Sequence, residues 1–233
     1  SAEPYRRRVI QLGESPDRVF NVGALGVENI KHVPLLSKEE LEKSLNFQLG
    51  DKSLLVTFHP VTLENSTAEQ QCMNLLESLE SFPDYRIIFT FPNSDTDGRI
   101  IIDLIKRFVE RHRSESVAFV SLGKVRYLST LQYVSAVVGN SSSGIIEVPS
   151  FGIPTLNIGD RQKGRISSRS VVHCGTSKED ICLGIQTVLS DPVAGIAKQK
   201  RNPYDKEGTA DAICTILKTV FLDGLTSKSF YDL

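Results

Sequence analysis

The sequence predicts an α/β fold, a Rossmann-like, doubly wound parallel sheet with helices on both faces. Short apolar runs rich in Val, Ile and Phe recur along the 233-residue chain. Each run is continuous rather than alternating, which is typical of strands buried on both faces of a parallel sheet. Segments with helical spacing of apolar residues separate these runs. Repeated strand–helix–strand units favour right-handed crossovers and a layered α/β structure.

Six apolar runs predict the strands of this sheet, in chain order. They are Leu54–His59, Arg86–Phe91, Val117–Leu122, Ala136–Asn140, Thr155–Ile158 and Ser170–Cys174. Three sets of apolar residues at helical spacing lie between them, at 72–82, 101–108 and 127–134. Ser37, with Glu40 three residues later, has the pattern of a capping box, and Ser177 opens another helix in the same way. The last predicted helix covers 209–222.

Size and composition narrow the classes of function. A chain of this length forms one large domain or two small ones. With a net charge of −1, the chain lacks the broad positive field that binding to nucleic acid requires. Four cysteines without a CxxC pair, and no signal peptide, predict reduced thiols in the cytoplasm. No apolar run approaches the roughly 20 residues of a membrane span, so we expect no membrane partner.

The stretch "GNSSSGIIE", from Gly139 to Glu147, carries the strongest functional signal. It joins the end of a predicted strand to a helix that begins at about Ser142 or Ser143. Ligands of doubly wound sheets bind at the carboxyl ends of strands. Glycines permit a sharp turn and a close approach of the ligand. Free N–H groups at a helix start, with serine hydroxyls beside them, favour an anion such as phosphate. The alternative is an ordinary serine cap.

Other polar residues follow neighbouring strands at the same predicted edge. Glu147 lies one turn into the helix, where a carboxylate can accept both hydroxyls of a ribose. Arg161 follows the strand Thr155–Ile158 and would face the same anion, whereas we interpret Lys163 and Arg165 as surface residues. His59 ends the first strand, where it can donate to a phosphate or move a proton. Asn93 lies just after the second predicted strand, Arg86–Phe91.

Several catalytic motifs are missing from the sequence. We call the stretch from Gly139 to Glu147 the serine joint. No Gly-Lys-Ser/Thr follows it, so a triphosphate with Mg²⁺ is not expected. There is no HExxH, no nucleophile elbow and no dinucleotide-binding GxGxxG. His32, His112 and His173 have no metal partner at helical spacing. We therefore predict neither a metal nor a cofactor.

Four segments carry a resemblance to a known family. "TFHPVT", "FPNSDTDG", "GNSSSGIIEVPSFGIPTLNIGDRQKGR" and "NPYDKEGTA", in this order and spacing, resemble the UDP-N-acetylglucosamine 2-epimerases. The resemblance covers nearly the whole chain and favours the hydrolysing branch, which forms N-acetylmannosamine for sialic acid synthesis. The non-hydrolysing branch typically has a "DSGG"-type joint in place of "NSSSG".

The resemblance implies a glycosyltransferase-B-like fold, with the UDP-sugar between two Rossmann-like halves. This chain resembles only the C-terminal, UDP-binding half, with residues 1–30 as the inter-domain crossover. By motif, Ser141 and Ser142 would hold the diphosphate, Glu147 the ribose, and Arg161 would line the nucleotide site. His59 would approach the diphosphate and the reacting sugar as the catalytic residue. By the same resemblance, Asn93 would contact the ligand and Leu122 would lie near the uracil.

The family reaction, as the resemblance implies it, removes the proton at C2 while UDP departs from C1, and water then adds with inversion at C2. The proton-moving carboxylates belong to the N-terminal half, so we expect this chain alone to be inactive. The first residue is Ser, which fits a piece of a longer protein. The expected partners are the UDP-sugar, the N-terminal domain of the same protein and, where it assembles, a second copy in a homo-oligomer.

Three alternatives stay open from the sequence. The substrate of the full enzyme is either UDP-N-acetylglucosamine or a UDP-diacetamido-trideoxyhexose. A second class is the nucleotide-binding half of a UDP-sugar glycosyltransferase, which would transfer sugar to an acceptor. A third is a non-catalytic interaction module. In "GRIIIDLIKRF", Asp103 interrupts the basic cluster that binds an inhibitor in the animal enzymes, so feedback control by a sialic acid nucleotide is not expected.

Overall fold

A six-stranded parallel sheet lies within residues 53–174 in the computed structural model, which describes residues 1–61, 67–93, 98–221 and 229–232. The strand order is β3-β2-β1-β4-β5-β6, and every neighbouring pair is parallel. The predicted α/β class is therefore confirmed. The strands are β1 (Ser53–Thr57), β2 (Arg86–Thr90), β3 (Ser116–Phe119), β4 (Ala136–Gly139), β5 (Thr155–Ile158) and β6 (Val171–Cys174).

Helices connect β1 to β2, β2 to β3 and β3 to β4, as the spacing of apolar residues predicts, and single 3₁₀ turns lie at Pro16–Arg18 and Val148–Phe151. The helices are α1 (Glu3–Gln11), α2 (Leu25–His32), α3 (Lys38–Leu45), α4 (Ala68–Leu79), α5 (Gly98–Arg111), α6 (Gly123–Thr130), α7 (Ser143–Ile146), α8 (Lys178–Val188), α9 (Asp191–Ala197) and α10 (Thr209–Thr219). The predicted sets at 72–82 and 127–134 overrun the helices α4 and α6, because buried residues continue into the following turns.

Both predicted caps are present. Ser37 Oγ accepts a hydrogen bond from the Glu40 N–H at 3.3 Å, and Glu40 Oε2 accepts one from the Ser37 N–H at 2.9 Å. The bond from the Ser37 N–H, together with a second from the Ser37 hydroxyl to the same oxygen, lowers the pKa of the Glu40 carboxyl. Ser177 Oγ accepts from the Asp180 N–H at 3.1 Å and caps α8. Such caps satisfy N–H groups that have no partner inside the helix.

The core covers both faces of the sheet. Leu54 and Val56 of β1 belong to an apolar cluster that includes residues of α4, α5 and α8. Leu55 and Val137 do not belong to this cluster, and yet both are buried. The opposite face of the sheet is therefore covered too. Continuous burial explains why the strands appear in the sequence as uninterrupted apolar runs.

Four of the six predicted strands extend past the observed strand ends, at His59, Phe91, Leu122 and Asn140, and the third extends furthest. The run Val117–Leu122 predicts a strand to Leu122, but β3 ends at Phe119. Val120 is 81% exposed, and Ser121 Oγ accepts a hydrogen bond from the Gly123 N–H at 3.0 Å, which begins the turn into α6. The apolar side chain of Val120 extended the run without being part of the core.

The chain divides into two compact units, one of residues 1–32 with 203–233 and one of residues 33–202. In the first unit, Glu28 accepts a hydrogen bond from the Ala210 N–H at 2.6 Å. Arg6 donates to the carbonyls of Val19 at 2.6 Å and Pro16 at 2.8 Å, so it holds a neighbouring segment. That the chain is one domain, with a crossover at 1–30, stays a prediction.

Among the described helices, none is both long and apolar enough to span a bilayer. The four cysteines are free thiols, and Cys72 is fully buried. Burial raises the pKa of the Cys72 thiol to about 12, so this side chain is a neutral part of the core.

Candidate functional site

The strand order reverses between β1 and β4, the position at which an open α/β sheet forms its ligand crevice. From β1 the sheet continues through β2 and β3 on one side and through β4, β5 and β6 on the other. In open α/β sheets, ligands bind where the strand order reverses, outside the carboxyl ends of the strands. His59 follows β1 and Asn140 follows β4 directly, so both border this point. All predicted site residues lie in the unit of residues 33–202.

Asn140 joins the two sides of the crevice. Its Oδ1 accepts a hydrogen bond from the His59 N–H at 2.7 Å, and its Nδ2 donates to the His59 carbonyl at 2.8 Å. Asn140 is only 1% exposed, and His59 is 9% exposed. A side-chain amide thus satisfies both backbone groups of His59, which holds this residue in one place. We refer to these two bonds as the Asn140 clamp.

The segment after β5 meets the same residue. Arg161 Nη1 and Gln162 Nε2 both donate to the Asn140 carbonyl oxygen, at 3.1 Å and 2.9 Å. Asn140 therefore links the ends of β1, β4 and β5. The sequence predicted His59 and Arg161 for one site, and the structure brings both to Asn140. Their roles toward a ligand stay predictions.

The three serines of the joint differ in their surroundings. The Ser143 hydroxyl is hydrogen-bonded to the Tyr127 hydroxyl at 2.5 Å and is therefore engaged inside the protein. Ser141 and Ser142 are half-buried. Within the described part of the chain, the structure records no hydrogen-bond partner for their hydroxyls or backbone N–H groups. Among the three hydroxyls, those of Ser141 and Ser142 are therefore left for a ligand, and their role in holding a diphosphate stays a prediction.

The helix after the joint begins where the sequence predicted but is very short. α7 covers only Ser143–Ile146, a single turn, and a 3₁₀ turn follows it at Val148–Phe151. A helix of one turn contributes little dipole, because the macrodipole sums over aligned peptide units. Charge to balance an anion must therefore come mainly from a side chain, and Arg161 lies beside the joint.

Glu147 directly follows α7. Burial raises the pKa of Tyr127 well above its ordinary value, and the charge of Glu147 adds to this increase, whereas the bond to Ser143 opposes it. Tyr127 thus stays a neutral phenol, and Glu147 is near it. α6 begins directly after Leu122. Leu122 is 3% exposed, so its side chain belongs to the core and only its backbone could contact a ligand.

Asn93 follows β2 and is exposed to solvent. The rest of the predicted "FPNSDTDG" motif, residues 94–97, lies outside the described residues. Lys163 and Arg165 are exposed, as predicted for surface residues, and Lys163 Nζ pairs with Asp160 Oδ2 at 2.7 Å. In the described ranges, no group of three or more His, Cys, Asp or Glu could hold a metal ion.

The two glycines of the joint serve the packing of the protein itself. Gly139 has a φ of 138°, and a β-carbon there would lie 1.9 Å from the Thr57 carbonyl oxygen. A β-carbon on Gly144 would lie 2.8 Å from Thr155 Cγ2. Gly139 therefore lets the end of β4 lie against the end of β1, and Gly144 lets α7 lie against the start of β5. That these glycines also let a ligand approach stays a prediction.

Comparison with known proteins identifies the family of this arrangement. The sequence model of the family described as UDP-N-acetylglucosamine 2-epimerase matches residues 1–218. A Campylobacter jejuni protein named GDP/UDP-N,N'-diacetylbacillosamine 2-epimerase (hydrolyzing) is 36% identical over the whole chain, which spans 60% of that relative. The polysialic acid biosynthesis protein P7 of Escherichia coli is 37% identical, and the chain spans 59% of it.

Solved structures share the fold at low sequence identity. The S. aureus MnaA–UDP co-structure matches the whole chain and 62% of its own length, with a TM-score of 0.74 and 14% identity. The UDP-GlcNAc 2-epimerase of Neisseria meningitidis bound to UDP-GlcNAc matches 94% of the chain and 60% of its own length, with a TM-score of 0.64 and 14% identity. These likenesses support the glycosyltransferase-B-like fold predicted from the resemblance.

Proposed function

The chain belongs to the UDP-N-acetylglucosamine 2-epimerase family, and we propose that it is the UDP-binding part of a hydrolysing 2-epimerase. The hydrolysing type is supported by relatives that carry that word in their names. The observation that carries the proposal is the meeting of His59, Arg161 and the serine joint at Asn140, at the reversal of strand order. The chain spans about 60% of the relatives it matches.

Each predicted residue has a place in this proposal. Ser141 and Ser142 donate from their hydroxyls and N–H groups to the diphosphate, and Arg161 supplies the positive charge that a one-turn helix does not. Glu147 accepts from the ribose hydroxyls. The exposed amide of Asn93 contacts the ligand from the end of β2, and the backbone at Leu122 faces the uracil.

The chemical task of this part is to stabilise the leaving group. When the bond from C1 to UDP breaks, negative charge grows on the diphosphate. Charge-assisted hydrogen bonds aimed at that charge lower the barrier. His59, fixed by the Asn140 clamp, lies at the reacting end in our proposal and donates to the diphosphate or the sugar. The carboxylates that move the C2 proton come from the N-terminal part of the protein, which we propose as the partner of this chain.

We propose UDP-N-acetylglucosamine as the substrate, which water converts to N-acetylmannosamine and UDP for sialic acid synthesis in the cytoplasm. Similarity to the E. coli protein named for polysialic acid biosynthesis supports this choice. The second candidate is a UDP-diacetamido-trideoxyhexose, which is favoured by the 36% identity to a diacetylbacillosamine epimerase. Both substrates share the UDP and the 2-acetamido group.

The test is an assay of the protein at the length of its relatives, with each UDP-sugar and no acceptor. We expect release of UDP together with the free sugar inverted at C2, from one substrate at least tenfold faster than from the other. The 233-residue chain alone should give no product above background. His59→Ala should lower turnover more than UDP affinity. An absence of UDP release from both sugars would contradict the proposal and favour a transferase.

A further inference from the structure

The motif "NPYDKEGTA", residues 202–210, contributes to the family resemblance but supplies none of the predicted site residues. Its first residue, Asn202, belongs to the same compact unit as the serine joint. Asn202 is half-buried, and its Nδ2 donates two hydrogen bonds, to the Ile146 carbonyl at 2.8 Å and to Ser150 Oγ at 2.7 Å. These two acceptors lie on either side of Glu147 in the chain. We refer to the two bonds as the Asn202 bracket.

The Ile146 carbonyl needs a donor from outside its helix. In a continued helix the donor would be the Ser150 N–H, but that group donates to the Glu147 carbonyl at 3.0 Å. Residue 149 is proline, which has no N–H to offer in a tighter turn. An unpaired carbonyl costs free energy, so the last carbonyls of helices take partners from elsewhere. The Asn202 amide supplies that partner.

The Asn202 bracket holds both peptide units that flank Glu147. The Ile146 carbonyl and the Glu147 N–H belong to one planar peptide unit. That unit is held at both ends, because the Glu147 N–H donates to the Ser143 carbonyl at 2.9 Å while Asn202 donates to the oxygen. The next unit begins with the Glu147 carbonyl, which accepts from Ser150, and Asn202 holds the Ser150 side chain. These bonds together fix the direction in which the Glu147 side chain leaves the backbone.

The helix before Glu147 depends on such support. α7 is a single turn, and a helix of one turn is not stable by itself in water. Its first residue, Ser143, is held by the Tyr127 hydroxyl. The Gly144 carbonyl accepts a hydrogen bond from Thr155 Oγ1 at 2.9 Å. The Asn202 bracket holds the other end of the turn, where Glu147 lies.

We propose that Asn202 is a positioning residue, which holds Glu147 so that its carboxylate meets the hydroxyls of the ribose. This inference rests on the proposed function, in which Glu147 accepts from these hydroxyls. Hydrogen bonds weaken steeply with misalignment, so a binding side chain needs a backbone held in one orientation. The following proline, Pro203, restricts the backbone of Asn202 to extended conformations, which makes the support itself rigid. Asn202 acts through Glu147 and not on the ligand.

The test compares the affinities for UDP and 2′-deoxy-UDP by calorimetry, in the 233-residue chain and in two variants. 2′-Deoxy-UDP lacks one hydroxyl that Glu147 would accept from, so the unmodified chain should prefer UDP by about tenfold. Asn202→Leu replaces the amide by an apolar side chain of similar size, and Asn202→Ala removes it. In each variant we expect the preference for UDP to fall by about threefold or more, because Glu147 is no longer held.

Asn74→Leu is the matched control. Asn74 is also half-buried, and its amide also donates to a backbone carbonyl, that of Thr176, at 2.9 Å. It lies in α4, a helix that carries none of the proposed site residues. This variant should keep the full preference for UDP.

A combination of Asn202→Leu with Glu147→Ala separates positioning from a general effect on the fold. Without the carboxylate nothing is left to position, so Asn202→Leu should not change the preference for UDP any further in this background. An effect of Asn202→Leu that is as large with Glu147→Ala as without it would overturn the inference, because Asn202 would then act on the site independently of Glu147.

The outcomes distinguish this inference from the proposed function. If both Asn202 variants keep the preference, or lose affinity for the two ligands equally, the positioning role is wrong, while UDP binding by the unmodified chain still supports the proposed function. The same holds if the unmodified chain binds both ligands equally well. A chain that binds neither ligand overturns both. Thermal melting shows whether each variant is folded, and the alanine variant decides where the leucine variant is not.

Discussion

Gly139→Ala is expected to destabilise the chain by more than about 4 kcal/mol, or to prevent folding. The β-carbon would lie 1.9 Å from the Thr57 carbonyl oxygen, a backbone atom of the neighbouring strand that cannot move away alone. The φ of 138° adds backbone strain for any residue with a side chain. Urea denaturation followed by circular dichroism measures the free energy of unfolding.

Gly195→Ala is the control for this substitution. Gly195 lies in α9, and a β-carbon there would meet no atom within 4 Å. Alanine has the higher helix propensity, so the variant should gain up to about 1 kcal/mol. A loss of less than about 1 kcal/mol in Gly139→Ala would contradict the close contact of β4 with β1.

Asn140→Ala is expected to cost about 2–4 kcal/mol of stability and to weaken UDP binding at least tenfold. The substitution removes both bonds of the Asn140 clamp, at 2.7 Å and 2.8 Å, and leaves the backbone N–H and carbonyl of His59 buried without them. The end of β1 would then lose its fixed position relative to the serine joint. Denaturation and calorimetric titration with UDP measure the two effects.

Asn74→Ala separates the clamp from a general effect of losing an asparagine. Asn74 Nδ2 donates to the Thr176 carbonyl at 2.9 Å, its Oδ1 accepts an exposed bond from Gln70 Nε2 at 2.9 Å, and the residue is half-buried. Its replacement should cost about 1 kcal/mol and leave the UDP affinity unchanged. Equal effects of the two substitutions would show that the clamp has no special part in forming the site.

Local patterns in the sequence predicted most of the sheet. The apolar runs located all six described strands, and β1, β2, β4 and β5 are buried almost throughout. The caps at Ser37 and Ser177 were found because capping depends only on nearby residues. The lateral order of the strands depends on long-range packing, which no local pattern carries. The reversal between β1 and β4, which locates the crevice, could therefore be seen only in the structure.

The sequence predicted only part of the site, because long-range packing also decides which side chains meet there. His59 and Arg161 are chemically distinct residues directly after apolar runs, and such positions can be read from a sequence. Asn140 was taken as the last residue of a strand, although a polar residue directly after a buried strand is a usable signal. Gln162 lies among charged residues in "GDRQKGR", where nothing distinguishes a buried amide from a solvated one.

The three serines were also equivalent in the sequence. Only the structure shows that Ser143 is held by Tyr127, because the two residues are 16 positions apart. Leu122 illustrates the opposite case. The apolar run at 117–122 is correct in placing it in the core, so a role near the uracil now depends on its backbone rather than its side chain.

Titration of the 233-residue chain with UDP at low ionic strength tests the central proposal most directly, because low salt preserves the attraction of Arg161 for the diphosphate. We expect weak but measurable binding, which falls at least tenfold in Ser142→Ala and in Glu147→Ala. A folded chain that shows no affinity for UDP, or one that binds UDP equally well after both substitutions, would contradict the proposal that the serine joint holds the nucleotide.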